Sequence, residues 1–406
     1  MPETIVKSCL LCRGTRNLCG KEVCPQISYW NTIQKLKTIE SYFIEAPSPP
    51  SVFVGRIGYP RVRVAPAVVP EGSNVEIYDM PEKWLNINLN EILQMRLSLL
   101  RACINVDVAK PEKMEDVKIL AASSKPVDLE LRFSNPPRPY IKLDVNSPPL
   151  GPAGILEKLR ILGNPKIPKP IDRVLLDREL TATEAVMNLY SNSIPVSHIQ
   201  KLFSIGVFGK AGFRKIVPTR WSITAVDSII SKRLIEKVKK LPVFDSYLFF
   251  ERRHENNTFI AIIAPYRWSY EWIEAWFPYT TWNPGMRIEV EDDWEDFRGR
   301  STYASLGGCY YVARLATAEY MIREGRQGTA ILIREIYEGF FLPIGVWFVR
   351  ENVREMFKNK PEKFGDIREV LERLSSSTRI QLSRWIKTSR LLTQILLQSR
   401  LEVPRL

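Results

Sequence analysis

Four of the six cysteines fall within the first 24 residues, as Cys9-x2-Cys12-x6-Cys19-x4-Cys24. So short a segment cannot bury a core of its own, and its shape must be held by its sulfurs. Zinc favours four thiolates in tetrahedral array, and Cys9 and Cys12 can grip one ion from a single turn. Gly14 and Gly20 follow cysteines closely, where tight turns need residues that tolerate a positive φ. Lys7, Arg13, Arg16 and Lys21 surround the ligands and help keep the sulfurs deprotonated. One structural Zn2+ on Cys9, Cys12, Cys19 and Cys24 is therefore expected. Two alternatives stay open. Cys24-Pro25 is loosely ferredoxin-like, which admits an iron–sulfur cluster, and intracellular hyperthermophile proteins do form disulfides. Cys103 and Cys309 are expected as buried thiols.

The chain as a whole is strongly basic, with 58 Lys+Arg against 45 Asp+Glu and a net charge of +13. Such a surplus favours a polyanion, because cation–phosphate contacts release condensed counterions. A thermophilic surface is the competing explanation. Local concentration is more telling than the total. Residues 201–240 hold ten cations against Asp227 and Glu236, a local balance of +8. They include Gly206-Val-Phe-Gly209-Lys210-Ala-Gly212-Phe-Arg214-Lys215, a loop whose backbone amides can approach phosphate. It lacks the Gly-Lys-Ser/Thr of a Walker A loop. Val217-Pro-Thr-Arg220-Trp-Ser222-Ile-Thr224 then leads into a helix expected to start at Ser222 or Thr224. Helix N-termini suit anions, although plain capping explains the two hydroxyls equally well. The expected phosphate-contacting set is Arg56, Lys210, Arg214, Lys215, Arg220, Ser222, Thr224 and Arg300.

Periodicity sketches the elements. Val52-Phe53-Val54 reads as a buried strand entering a glycine-rich turn at Gly55 and Gly58. Residues 84–103 carry apolar residues at helical spacing. Residues 136–170 contain nine prolines but also Ile141, Leu143, Leu156, Leu159 and Ile161. This reads as a rigid connection with a short helix near residues 152–162. Thr181 or Thr183 caps a helix through Tyr190. Strands are expected at residues 244–251 and 258–264, joined by His254-Glu255-Asn256-Asn257. A helix follows at residues 309–324, strands at 330–333 and 344–348, and helices over the last forty residues. Strands and helices do not alternate regularly, which favours α+β over a doubly wound sheet.

Two further clusters invite chemistry. Trp268, Trp272 and Trp276 recur at a helical spacing that suits a core face, while exposed rings of this kind can stack unpaired bases. Residues 289–296 hold Glu289, Glu291, Asp292, Asp293, Glu295 and Asp296. Dense carboxylates can hold Mg2+ for phosphodiester cleavage, or pair with Arg298 and Arg300. His198 and His254 have no neighbouring nucleophile that the sequence can justify. No apolar run approaches the roughly 20 residues that span a bilayer. The first residues also lack a signal-peptide core, so a cytoplasmic protein without a membrane partner is expected.

The order of these segments resembles the archaeal Nre DNA-repair family over nearly the full chain. The likeness is carried by Leu18-Cys19-Gly20 with Cys24-Pro25, by Ser48-Pro-Pro-Ser-Val-Phe-Val-Gly55-Arg56-Ile-Gly58-Tyr59-Pro60, and by Arg214-Lys-Ile-Val-Pro-Thr-Arg220-Trp221-Ser-Ile-Thr224. It continues in Phe297-Arg-Gly-Arg300 and Gly345-Val-Trp347-Phe-Val-Arg350-Glu351. The resemblance implies a role in DNA-damage repair, an N-terminal four-cysteine zinc finger, and a C-terminal peptide that binds the sliding clamp PCNA. Such peptides carry Gln-x-x-aliphatic followed by two aromatics. Here Gln398 and Leu401, or Gln394 and Leu397 in an overlapping register, supply the first half. Pro404 and Arg405 replace the aromatics in the first register.

The expected architecture is α+β, with mixed helices and antiparallel strands behind a small zinc module. Residues 1–30 form that module, 31–150 an N-terminal α/β region, 151–376 the main basic domain, and 377–406 a C-terminal helix with the clamp tail. The expected function is a repair factor that binds DNA and the clamp. A metal-dependent nuclease or phosphohydrolase, and an adaptor without DNA contact, are the alternatives.

Overall fold

The computed structural model describes residues 41–138, 147–278, 280, 282–283, 285–340 and 344–401. The four N-terminal cysteines lie outside the described residues. Contacts divide the chain into two units. One runs up to Ile230 and takes back residues 344–348; the other comprises residues 231–340 and 349–401.

The first unit is built on a six-stranded sheet of β1 (Phe43–Ser48), β2 (Ser51–Val54), β3 (Arg61–Val68), β4 (Leu100–Asp107), β5 (Val127–Phe133) and β6 (Ala153–Leu162), ordered β1-β5-β6-β4-β3-β2. In β5 strict alternation sends Val127, Leu129, Leu131 and Phe133 into the core. Helices α1 (Leu89–Ser98), α2 (Glu115–Ala122), α3 (Lys169–Leu176), α4 (Ala182–Ser191) and α5 (Val196–Ser204) accompany it. Thr181 caps α4 in a reciprocal capping box with Glu184. The expected helix at 84–103 is confined to α1, since the chain extends again at Leu100 to pair with β3.

The expected helix near residues 152–162 is instead strand β6. Its residues pair antiparallel with β5, Leu129 opposite Ile161 and Leu131 opposite Leu159. Leu156 and Leu159 fit a helical spacing locally, but cross-strand pairing overrides that preference. The segment expected as a strand at 344–348 runs instead into α8 (Trp347–Met356). Gly345 enters it at φ 96°, and a Cβ there would lie 2.8 Å from the Ser147 carbonyl carbon. Trp347 packs edge-on against Trp84 at 5.0 Å.

The second unit holds β7 (Tyr247–His254), β8 (Asn257–Ala264), β9 (Ser269–Trp276), β10 (Glu289–Glu295), β11 (Thr329–Ile336) and β12 (Glu362–Phe364), ordered β10-β9-β11-β8-β7-β12. The β7–β8 hairpin turns on Glu255 and Asn256, both at positive φ, as a two-residue hairpin of primed type requires. One sheet face, with Phe249, Ile260, Ile262, Ile273, Ile331 and Ile333, is covered by α9 (Ile367–Ser377), α10 (Leu382–Thr388) and α11 (Arg390–Leu401). Helix α7 (Gly308–Glu324) packs against β9, where Tyr270 donates to the Tyr310 carbonyl at 3.0 Å.

Both sheets are mixed rather than purely antiparallel. β4 runs parallel to β6, and β9 parallel to β11. The helical face expected for Trp268, Trp272 and Trp276 is not helical: Trp272 and Trp276 lie in strand β9, and Trp268 stands just before it. A spacing of four residues is near one helical turn and also two strand repeats. The expected burial holds for all three indoles.

Candidate nucleic-acid interface

Two stretches of the first unit combine cations with an absence of acids. Residues 51–64 carry Arg56, Arg61 and Arg63, and residues 205–226 carry Lys210, Arg214, Lys215 and Arg220; neither contains Asp or Glu. The fold stitches them together through the backbone. Gly55 N–H donates to the Arg63 carbonyl at 2.8 Å, closing the β2–β3 turn. Val108 N–H donates to the Pro60 carbonyl at 3.0 Å, and Ile216 N–H to the Val108 carbonyl at 2.9 Å. Val54 N–H donates to Thr219 Oγ1 at 2.8 Å, tying β2 to the first residue of α6 (Thr219–Val238).

The surface so formed exposes rings as well as charge. Ile57 is 78% exposed, Tyr59 53%, Phe213 79% and Trp221 45%. The Tyr59 and Trp221 ring centroids stand 5.4 Å apart with planes inclined at 57°. Arg56, Lys110, Lys210 and Lys215 are exposed around them. Among the described residues no ion pair engages Arg56, Lys210 or Lys215.

Other expected phosphate contacts have different employment. Arg214 donates to the Gly209 carbonyl at 2.8 Å, the Leu175 carbonyl at 3.4 Å and the Asp177 carbonyl. Burial, with Arg178 nearby, draws its pKa down. It clamps the glycine loop from behind. Gly206 at φ 74° makes the base of that loop possible, since a Cβ would meet the Lys215 carbonyl at 2.7 Å. Helix α6 begins at Thr219, not at Ser222 or Thr224. The Pro218 carbonyl accepts from Trp221 N–H at 2.8 Å and Ser222 N–H at 3.0 Å, and proline's fixed φ prepares a helix start. Ser222 and Thr224 are therefore buried inside the helix, and Ser222 Oγ donates to the Gln200 carbonyl at 3.0 Å. Arg220 is half-buried in the first turn.

Arg300 belongs to the second unit. It pairs with Asp293, donates to the Thr302 carbonyl at 2.9 Å and lies 4.8 Å from the Tyr310 ring centre. The acidic run around it is strand β10, whose alternation separates the carboxylates. Asp293 meets Arg300 and Ser305, while Glu295 is buried against Arg314 at 2.7 Å and Tyr310 Oη at 3.0 Å. Among the described residues no three His, Cys, Asp or Glu side chains converge as a cation site. Cys309 is half-buried, and burial with Glu274 beside it raises its thiol well above the usual range. Cys103 is likewise half-buried and raised by burial. His198 sits on α5 with Nε2 2.8 Å from the Ala121 carbonyl, and burial draws its pKa down to about 4. Among the described residues no helix is long and apolar enough to cross a membrane.

In the C-terminal helix, Leu391, Leu392 and Ile395 are buried, whereas Gln394 and Leu397 are exposed. The side chains of Gln398 and Leu401 lie outside those described. Glu271 of β9 receives the start of this helix. It accepts from Ser389 Oγ, from Arg390 N–H at 2.7 Å and from Leu391 N–H at 3.3 Å. Burial raises its pKa to about 7, against the pull of those donors.

Sequence reasoning singled out neither Tyr59, Phe213 and Trp221 as surface rings nor Lys110 as a neighbour. The available signal was the lack of any acid in the two segments whose apolar residues lie between cations.

The profile described as Archaeal Nre, N-terminal matches residues 18–283, and that described as Archaeal Nre, C-terminal matches residues 295–403. The chain is 43% identical to the DNA repair protein NreB of Archaeoglobus fulgidus, over 94% of this chain and 96% of the relative. It is 34% identical to that organism's DNA repair protein NreA, over 93% and 95%. It is 30% identical to the DNA repair protein NreA of Haloferax volcanii, over 84% and 85%. No solved structure matches the chain. Matched along nearly its whole length by both profiles and by these relatives, the chain belongs to the archaeal Nre family.

Proposed function

We propose that this chain is a DNA-repair protein that grips DNA by its phosphates on the surface formed by the β2–β3 turn, the 206–216 loop and the start of α6. The observation that carries this reading is the meeting of two acid-free cationic segments, with Arg56, Lys210 and Lys215 exposed and outside every ion pair among the described residues. The names of the relatives point the same way. Arg220 lies beside this group and reinforces its charge. Cys9, Cys12, Cys19 and Cys24 supply thiolates for one zinc ion, a role supported by their spacing. Gln394 and Leu397 stand on the exposed side of α11, where a clamp such as PCNA can reach them. Its place of action is the cytoplasm, with the DNA.

The test is the salt dependence of DNA binding. Each phosphate contact adds about 0.7 to 0.9 to the slope of log affinity against log salt. Replacing Lys210 and Lys215 together by Ala should flatten the slope by about 1.5, with uniform weakening across sequences. A slope near zero in the unaltered protein would leave the adaptor reading in its place.

A further inference from the structure

We propose that the surface of the first unit holds unpaired bases, so that single-stranded DNA is its preferred partner. This rests on the phosphate-binding reading above and adds the class of strand. A surface that met phosphates alone would need cations and small polar groups. This one also presents Tyr59, Phe213 and Trp221 to solvent. In duplex DNA the base faces are stacked against one another; in a single strand they are open to aromatic rings.

The rings are mounted on firm backbone. Tyr59 stands in the β2–β3 turn, held by the Arg61 N–H bond to the Gly58 carbonyl at 2.9 Å and by Pro60's bond to Val108. Trp221 is in the first turn of a 20-residue helix. Phe213 N–H donates to the Lys210 carbonyl at 3.0 Å, in the loop that Arg214 clamps. Rigid rings lose little freedom when a base settles on them. The inclination of Tyr59 to Trp221 keeps them from covering each other face to face.

A protein-docking patch would look different. Cores of protein interfaces are depleted in charge, with polar residues at the rim. Here cations and rings are interspersed along the chain: Arg56, Tyr59, Arg61 in one segment, and Lys210, Phe213, Lys215, Arg220, Trp221 in the other. Interleaved aromatic and cationic side chains suit a strand whose bases and phosphates alternate.

Fluorescence anisotropy of the full-length protein with three labelled probes tests the inference. The probes are oligothymidylate of about 16 nucleotides, a duplex of equal length, and an abasic strand with the same phosphates. Oligothymidylate should bind about a hundredfold tighter than the abasic strand, and Phe213→Ala or Trp221→Ala should each remove about tenfold of that binding. Neither change should alter binding of the abasic strand or the duplex, and Trp221→Phe should restore most of the loss. Equal melting temperatures establish that the variants fold; if Trp221→Ala does not fold, the exposed Phe213 carries the test. Oligothymidylate no tighter than the abasic strand, or indifferent to the ring variants, overturns the inference. The phosphate reading then survives as long as the Lys210 and Lys215 changes still flatten the salt slope. Failure of all three probes to bind at low salt sinks both.

Discussion

Replacing Glu271 by Gln should shift the stability of the second unit by an amount that grows as pH rises. The carboxyl is fully buried, and two influences oppose each other there. The amides at the start of α11 favour a negative charge, whereas removal from water disfavours it. Burial wins, moving the pKa from the ordinary 4.5 to about 7. Below both values the folded and unfolded chains each hold the proton. Between them the unfolded chain has released it and the folded chain has not, so stability falls by about 1.4 kcal/mol per pH unit. The loss is complete above the folded pKa and totals about 3 kcal/mol. Gln cannot ionise and forgoes this loss. It also gives up the weaker bond from Leu391, a cost of about 1 kcal/mol at every pH. Urea unfolding of both proteins between about pH 5 and pH 8 cancels all other titrating groups in the difference. The Gln variant should gain roughly 3 kcal/mol on the unaltered protein across that range. A flat difference, or one of opposite sign, would mean that the helix amides hold the carboxylate charged and the reasoning is wrong.

His198 should act in the opposite direction. Its pKa is depressed from 6.5 to about 4, so the unfolded chain takes up a proton in that window first. Its contribution is present above the unfolded pKa and is lost as pH falls through the window. His198→Gln should remove a pH dependence of about 3 kcal/mol, and urea unfolding that titrates identically in both proteins would refute it. Arg314→Ala leaves Glu295 buried without its cation and should cost about 3–5 kcal/mol; a melting temperature within about 2 °C of the original would show that the pair does not matter. Gln394→Ala with Leu397→Ala alters only exposed groups of α11, so stability should hold while any pull-down with PCNA is lost; undiminished capture discards that motif. Metal analysis should find one zinc per chain, and brown protein with charge-transfer absorption would replace zinc by an iron–sulfur cluster.

Local grammar made several elements readable. The Thr181–Glu184 capping box, the polar turn at Glu255-Asn256 and the long helix of α7 each carry their signal within a few residues. The errors arose where two periods coincide or where distant partners decide. Trp268, Trp272 and Trp276 fit both a helix and a strand by spacing, and pairing of the segment Ser269–Trp276 with Glu289–Glu295 and Thr329–Ile336 settles it for the last two. Leu156 and Leu159 suggest a helix until β5 is laid beside them. At the candidate interface the cations of the 206–215 loop were legible as a cluster, but not that Arg214 faces inward. The meeting of Tyr59 with Trp221 depends on a chain of backbone bonds through Val108, which no local pattern announces.

Helix α6 has a consequence for how this molecule can be divided. Its opening residues belong to one unit and its remainder, from Ser231, to the other, while residues 344–348 return to the first. No single scission of the polypeptide therefore separates the two halves, and a cut at Ile230 would break a continuous rod at mid-length. A chain ended before residue 344 would therefore lose part of the first unit along with the C-terminal helices.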